Sequence, residues 1–93
     1  MKAKIWNYSA WIQETNPSDI KTCFTELLEK SGFNIIDVLS YHFKPQGYTA
    51  LWLLGESHFA AHTFPECGKT YIELSSCNLS YYQRFIELTK DYE

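Results

Sequence analysis

Residues 33–54 contain two stretches with the composition of β-strands, separated by the sequence Pro45-Gln46-Gly47. Residues 33–43 are rich in β-branched and aromatic side chains, and the stretch from Tyr48 to Leu54 is strongly apolar. Such residues favour extended backbone, whereas proline and glycine in close succession favour a turn. The two stretches therefore predict a β-hairpin, and with it an antiparallel sheet.

The strand pattern recurs on both sides of this hairpin. From Ile5 to Ile12, apolar and polar residues alternate with the period of two that a half-buried strand requires. One side of that strand is predicted to carry Trp6, Tyr8, Ala10 and Ile12. A further strand is predicted over residues 69–75, after a corner at residues 65–68.

Two helices are predicted from their capping residues and periodicity. Asn16-Pro17-Ser18-Asp19 combines a capping side chain, a proline suited to a first turn and an acidic group near the positive end of the helix. Gly32 predicts the end of this helix near Ser31. The apolar residues at helical spacing are Ile20, Cys23, Phe24, Leu27 and Leu28. Ser80-x-x-Gln83 is typical of a capping box and predicts a second helix. The side chains that this second helix is predicted to bury are Tyr82, Phe85 and Ile86.

The predicted element order, βαββ(β)βα, indicates an α+β fold, a two-layer sandwich in which an antiparallel sheet carries both helices on one face. Ninety-three residues suffice for one domain, residues 1–93, because a second core would be too small to offset chain entropy. The other sheet face is expected to be apolar as well, with Trp52 beside Leu51 and Leu53. A sheet that is apolar on both faces usually packs against a second sheet, which predicts a homodimer or a larger assembly.

Charge and hydropathy exclude several classes of partner. The formal net charge is -3, and the eight Lys and Arg residues are scattered, so we expect no nucleic-acid surface. No apolar run approaches the ~20 residues of a membrane span, and residues 1–12 alternate where a signal peptide would be continuously apolar. Three cysteines without CxxC spacing fit a reducing compartment. We therefore expect a cytoplasmic protein that contacts no membrane.

Residues 55–66 concentrate a serine hydroxyl, two imidazoles and two carboxylates. A serine hydrolase would need a glycine two residues after Ser57, which is absent. A zinc site would use His58 and His62 with Glu66 or Cys67, but the spacing of the two histidines suits a helix and the flanking residues indicate strands. A purely structural interpretation, with the histidines hydrogen-bonded at a sheet edge and Cys77 in the core, stays open on composition alone.

The motif Glu56-Ser57-His58-x-x-x-His62-Thr63-Phe64-Pro65-Glu66 resembles the signature of the bacterial and archaeal S-adenosylmethionine decarboxylase proenzymes. The resemblance extends upstream to Phe43-x-Pro45-x-Gly47 and downstream to Ser76-Cys77. It implies an enzyme that cleaves itself at the Glu56-Ser57 bond and converts Ser57 into a covalent pyruvoyl cofactor. The products would be a β chain of residues 1–56 and an α chain of residues 57–93. Gly55 is expected to permit the unusual backbone that eases the step.

The resemblance also implies a role for individual residues. His62 would transfer a proton during self-cleavage, supported by Thr49, which stands where the family has a serine. Ser57, as the pyruvoyl group, would form a Schiff base with the substrate amine, and Cys77 would return a proton to the substrate α-carbon. Glu66 would bind the ribose hydroxyls and Phe43 would stack on adenine, with Trp6 or Tyr8 closing the other side of the base.

The implied reaction is decarboxylation of S-adenosylmethionine, which supplies the aminopropyl donor for spermidine synthesis. Two alternatives stay open: an unprocessed regulatory or ligand-binding homologue, and a pyruvoyl-dependent arginine or ornithine decarboxylase. The resemblance implies no metal. Family members usually continue into another strand after the second helix, so we expect stability to depend on assembly.

Overall fold

A computed structural model describes residues 4–93. The elements in chain order are β1 (Trp6–Ile12), α1 (Pro17–Ser31), β2 (Ile35–His42), β3 (Tyr48–Leu54), β4 (Ser57–Phe64), β5 (Lys69–Ser76) and α2 (Leu79–Thr89). Short 3-10 helices at Pro65–Cys67 and Lys90–Tyr92 follow β4 and α2. The predicted order of strands and helices is confirmed. The alternation predicted for residues 1–12 includes residues 1–3, which lie outside the described residues.

The five strands form one antiparallel sheet in the order β1-β5-β4-β3-β2, with β4 at its centre. Both helices pack on one face of the sheet, where their apolar side chains join those of the strands in a single core. This is the predicted two-layer α+β sandwich. Within residues 4–93, neither helix has the length and apolar character needed to cross a membrane.

The core lies between the sheet and the two helices. In β1 the alternation is as predicted, with Tyr8, Ala10 and Ile12 packed toward the core. Trp52 is fully buried on this face, where its indole Nε1 donates a hydrogen bond to Thr25 Oγ1 at 3.1 Å. Its predicted place on the other face is therefore wrong. The run Leu51 to Leu54 is apolar at every position, and such a run carries no period from which to assign sides.

α1 is capped as the sequence predicts. Asn16 Oδ1 accepts a hydrogen bond from the Asp19 backbone N–H at 3.0 Å. At the other end, Gly32 adopts a left-handed backbone with φ 112°, and its N–H donates to the Glu29 carbonyl at 3.0 Å. The Phe33 N–H donates to the Leu28 carbonyl, also at 3.0 Å, which completes the carboxyl-terminal cap.

α2 begins earlier than the predicted capping box. Asn78 is the N-cap, and its side-chain oxygen accepts a hydrogen bond from the Tyr81 N–H at 3.0 Å. Ser80 already lies inside the helix, so the prediction of its capping role is wrong; asparagine caps at least as well as serine and comes first along the chain. Of the three side chains predicted to be buried by α2, Phe85 is fully buried and the other two are half-buried.

Gly32→Ala is expected to destabilise the fold. A Cβ at this position would lie 2.6 Å from Tyr81 Cε1, and the left-handed backbone alone costs a residue with a side chain about 1–2 kcal/mol. We expect the free energy of unfolding, measured by urea denaturation, to fall by about 2–3 kcal/mol.

Gly68→Ala is the matched control for this substitution. Gly68 is also left-handed, with φ 66°, but a Cβ there meets nothing within 4 Å. It should therefore show the backbone cost without the clash. Equal losses of unfolding free energy in the two variants would mean that the Tyr81 ring moves aside without cost.

The sheet face away from the helices, called the open face below, has two unlike halves. On β2 and β3 it is apolar, and its exposed side chains include Leu39, Tyr41, Leu51 and Leu53. On β1 and β5 it is mainly polar, with Asn7 opposite Ser75 and Ser9 opposite Glu73. The expectation of an apolar second face therefore holds for one half of the sheet. A contiguous exposed apolar patch of this kind is typical of an interaction surface.

Candidate active site

The turn between β3 and β4 holds the peptide bond at which cleavage is predicted. Leu54 pairs with Ser57, so only Gly55 and Glu56 form the loop. Glu56 has φ 56°, a left-handed backbone that is uncommon for a residue with a side chain. Gly55 was expected to take the unusual conformation, and that expectation is wrong because its φ is not positive. The backbone strain, of roughly 1–2 kcal/mol, falls on the residue that supplies the carbonyl of the Glu56-Ser57 bond.

Ser57 is the first residue of β4, and its side chain is buried on the helix-covered face. Its hydroxyl donates a hydrogen bond to Ser76 Oγ at 3.0 Å. Ser76 Oγ in turn accepts a hydrogen bond from the Asn78 backbone N–H at 3.0 Å. The Ser57 hydroxyl is therefore held in one direction inside a short polar chain.

Cys77 follows β5 and lies beside the same turn. Its Sγ is 3.5 Å from the Glu56 carbonyl oxygen and 3.8 Å from Glu56 Oε2. The thiol can therefore donate a weak hydrogen bond to the carbonyl that Ser57 would attack. The structure brings together Glu56, Ser57 and Cys77, three of the predicted site residues.

The other two cysteines lie elsewhere. Cys23 is half-buried on α1, and burial raises the pKa of its thiol, which keeps it in the protonated form. Cys67 is exposed in the 3-10 helix at Pro65–Cys67. Of the three cysteines, Cys77 alone contacts the Glu56-Ser57 turn.

Thr49 and His62 form a second polar pair, on the open face. They are opposite residues of β3 and β4, and Thr49 Oγ1 lies 2.9 Å from His62 Nδ1. The Tyr71 ring stacks on the imidazole, with centroids 6.5 Å apart and an angle of 21° between the planes. The hydrogen bond and the stacked ring together fix the orientation of the imidazole.

The predicted substrate residues meet these two in one groove of about 300 Å³. Phe43, which follows β2, and Glu66, in the 3-10 helix after β4, line the groove together with Thr49 of β3 and His62 of β4. The remaining lining residues are Gln46, Gly47, Tyr48, Thr63 and Phe64. The volume is at the lower end of the roughly 300–1,000 Å³ range of small-molecule pockets.

The two groups of predicted residues lie at opposite ends of the hairpin. His62 follows Ser57 by five positions along β4, which corresponds to about 16 Å at the ~3.3 Å rise of a strand. Trp6 pairs with Ser76 and therefore lies at the Ser57 end, whereas Phe43 lines the groove at the His62 end. Within one chain, His62 does not reach Ser57, and Trp6 and Phe43 cannot enclose the same base.

The structure also bears on the competing interpretations. His58 and His62 lie on one strand, about 13 Å apart at ~3.3 Å per residue, and no cluster of three metal-ligating side chains occurs in residues 4–93. Ser57 follows a strand-to-strand turn, which is unlike the strand-to-helix elbow of serine hydrolases. The sheet-edge placement of the histidines is wrong, because β4 is the central strand.

Sequence reasoning did not predict the contacts of Ser76 with Ser57 or of Tyr71 with His62. Each depends on strand register, which sets Ser76 opposite Ser57 and Tyr71 opposite His62. The only available signal was the alternation of β5, which places Thr70, Ile72, Leu74 and Ser76 on the core face. A serine at a core-facing position is a signal for a hydrogen-bonded partner.

Comparison with known proteins shows the family to which the chain belongs. A sequence model of the family described as S-adenosylmethionine decarboxylase matches residues 10–92, and the chain belongs to this family. Relatives named S-adenosylmethionine decarboxylase proenzyme include one from Synechococcus sp. (strain WH7803), 34% identical over 58 residues, and one from Geobacillus sp. (strain WCH70), 38% identical over 58 residues. Both alignments cover 62% of this chain, and they span 45% and 47% of the respective relatives.

The chain is also similar to the crystal structure of the adenosylmethionine decarboxylase from Aquifex aeolicus VF5. The TM-score is 0.75 at 21% sequence identity, and the match covers 94% of this chain and 78% of the other. This similarity supports the fold. The matched region spans less than half the length of the Synechococcus and Geobacillus relatives.

Proposed function

We propose that the chain is an S-adenosylmethionine decarboxylase proenzyme that cleaves itself between Glu56 and Ser57 and uses the resulting pyruvoyl group. The observation that carries this proposal is the turn itself. A left-handed Glu56 precedes a buried, hydrogen-bonded Ser57, and the Cys77 thiol lies 3.5 Å from the Glu56 carbonyl oxygen. The products are a β chain of residues 1–56 and an α chain of residues 57–93.

Self-cleavage begins at the Ser57 hydroxyl. Its oxygen forms a bond to the Glu56 carbonyl carbon, the bond from that carbon to the Ser57 nitrogen breaks, and the hydroxyl proton ends on the nitrogen. Loss of the Ser57 α-proton then breaks the new ester and releases the Glu56 carboxylate. The Cα=Cβ double bond left by this elimination takes up a proton at Cβ. Water then replaces the nitrogen, which leaves as ammonia, and a keto group bearing a methyl group stands at position 57. The left-handed Glu56 favours the first step, because the strain is relieved when the peptide bond opens.

The residues around the turn fit a keto group at this position. A keto group at position 57 would supply an electrophilic carbon for the substrate amine and an acceptor for the electrons released with carbon dioxide. Cys77 lies beside residue 56 and offers a thiol proton to the substrate α-carbon.

The groove at the opposite end of β4 supports a nucleoside-bearing substrate. Phe43 is half exposed and presents an aromatic face, which suits adenine, and Glu66 offers a carboxylate for the ribose hydroxyls. These features favour S-adenosylmethionine over a plain amino acid. The product is the aminopropyl donor for spermidine synthesis.

The separation of the two groups of site residues supports a homodimer. If two open faces pack together with their strands antiparallel, the His62 end of one copy lies beside the Ser57 end of the other. His62 and Thr49 then lie beside the Glu56-Ser57 turn of the partner copy and assist cleavage at the peptide group, because the Ser57 hydroxyl itself is buried on the helix-covered face. Trp6 packs against Tyr82 on that same covered face, so the prediction that it closes the other side of the base does not fit this contact. The apolar half of the open face supplies the surface for this contact. We place the dimer in the cytoplasm, where the three free cysteines stay reduced.

Release of labelled carbon dioxide tests the substrate assignment. Carboxyl-labelled S-adenosylmethionine, arginine and ornithine are supplied separately to the cleaved enzyme. We expect release from S-adenosylmethionine alone. Release from arginine or ornithine would instead assign the related amino-acid decarboxylase activity. Binding of S-adenosylmethionine by an intact chain that releases nothing would indicate a regulatory homologue.

Leu51→Glu tests the dimer. The side chain lies on the apolar half of the open face and is 44% exposed in the single chain. Burying an unpaired carboxylate in the dimer contact is strongly unfavourable, so we expect sedimentation velocity to show a dimer for the unmutated protein and a monomer for the variant.

Thr22→Glu is the control for the dimer experiment. It adds the same charge at an exposed position on α1, away from the open face, and should leave the dimer intact. A monomeric unmutated protein at micromolar concentration would contradict the dimer, as would a Leu51→Glu variant that stays dimeric.

A further inference from the structure

We infer that Ser76 is a positioning residue for self-cleavage, holding the Ser57 hydroxyl so that the oxygen faces the Glu56 carbonyl carbon. This inference rests on the proposed self-cleavage and adds a residue to it. Among the described residues, Ser76 is the side chain that hydrogen-bonds Ser57 Oγ.

The register of the sheet brings the two serines together. Ser57 is the first residue of β4 and Ser76 the last of β5, and they are directly opposite in the antiparallel pair. Both lie on the helix-covered face, with 7% of Ser57 and 1% of Ser76 exposed. Water therefore competes little for the hydrogen bond of 3.0 Å between their Oγ atoms.

The contacts of Ser76 favour Ser57 as the donor between the two hydroxyls. The Ser76 oxygen accepts from the Asn78 N–H at 3.0 Å, and its own proton has a longer-range acceptor in the Asn78 carbonyl oxygen at 3.5 Å. A hydroxyl has one proton and two lone pairs, so the second lone pair is left to accept the Ser57 proton. The Ser57 lone pairs then remain free for attack on the carbonyl.

The role is confined to the first covalent step. In that step the bond from Ser57 Oγ to the Glu56 carbonyl carbon forms, the Glu56-Ser57 peptide bond breaks, and the Ser57 proton ends on the Ser57 nitrogen. Ser76 ends the step unchanged, and no further reactant is needed. His62 does not replace Ser76 within the chain, since it lies about 16 Å away along β4 at ~3.3 Å per residue.

Ser76→Ala and Ser76→Thr test the inference together. The full chain of each variant is made by cell-free translation, and cleavage is followed over time by denaturing mass spectrometry. Parallel samples contain hydroxylamine, which attacks the ester and releases residues 1–56 as a hydroxamate and residues 57–93 with a free amino group. Hydroxylamine thus reports ester formation separately from the later elimination.

We expect Ser76→Ala to form cleaved chain about tenfold more slowly, the effect of one positioned hydrogen bond, and equally so with and without hydroxylamine. Ser76→Thr keeps the hydroxyl and should cleave within about twofold of the unmutated rate. Ser75→Ala removes the neighbouring hydroxyl, which does not contact Ser57, and should cleave at the unmutated rate. If Ser76→Ala does not fold, Ser76→Cys is used in its place. The thiol is close in size to the serine hydroxyl, but its sulfur is only a weak hydrogen-bond acceptor.

Each other outcome overturns the inference. An unchanged cleavage rate in Ser76→Ala would show that Ser76 does not position the Ser57 hydroxyl, without contradicting the proposed self-cleavage. Slowing that hydroxylamine abolishes would assign Ser76 to elimination, and equal slowing in Ser76→Thr would assign it to packing alone. An unmutated chain that stays intact with and without hydroxylamine would contradict the proposed self-cleavage itself.

Discussion

Ser57→Ala is expected to give a folded protein that keeps its full covalent length and releases no carbon dioxide. The change removes the attacking oxygen, and without it neither the ester nor the keto group can form. The strand is held by its pairing with β3 and β5, so the fold should persist with a loss of about 1 kcal/mol for the hydrogen bond to Ser76. Denaturing mass spectrometry, circular dichroism and the labelled-carboxyl assay measure the three properties.

Ser80→Ala is the control for this variant. Ser80 is exposed in the first turn of α2 and contacts no predicted site residue, so cleavage and turnover should match those of the unmutated protein. A Ser57→Ala chain that still divides between residues 56 and 57 would refute the role assigned to Ser57.

Cys77→Ala is expected to separate cleavage from turnover. Because Ser57 and Ser76 are unchanged, the chain should still divide, although the weak thiol contact to the Glu56 carbonyl is lost. Loss of the proton donor should lower the rate of decarboxylation by about 100-fold or more. Protonation at the wrong carbon would also consume the keto group, so activity should decay with each turnover.

The matched control is Cys67→Ala. Cys67 is exposed and follows β4 at the opposite end of the strand from Ser57, so both cleavage and turnover should be unchanged. A Cys77→Ala variant that decarboxylates at the unmutated rate would contradict the proton-donor role and indicate that Cys77 serves only in packing.

Local signals in the sequence predicted most of the fold. The alternation in β1, the Asn16 cap and the Gly32 terminator each depend on a few neighbouring residues, and each is confirmed. The α2 cap was misplaced because Asn78 and Ser80 are both good capping residues and only the course of the backbone chooses between them. The side of Trp52 was missed because its neighbours are apolar too.

The candidate site was less predictable, because much of it depends on register. The resemblance pointed to Ser57 and Cys77, and the structure places both at the same turn. The contact between Ser57 and Ser76 cannot be derived from spacing before the strand pairs are known. The distance from Ser57 to His62 depends on both residues lying in one continuous strand, β4, whose bounds the sequence did not define. Composition alone left a hydrolase, a zinc site and a structural segment as alternatives.

The most direct test of the account is the covalent length of the unmutated protein after incubation. Denaturing mass spectrometry should show two chains that divide between Glu56 and Ser57, and the chain beginning at position 57 should lack a free amino group and react with a carbonyl reagent. A single 10.9 kDa chain that persists on prolonged incubation, alone or with hydroxylamine, would contradict it.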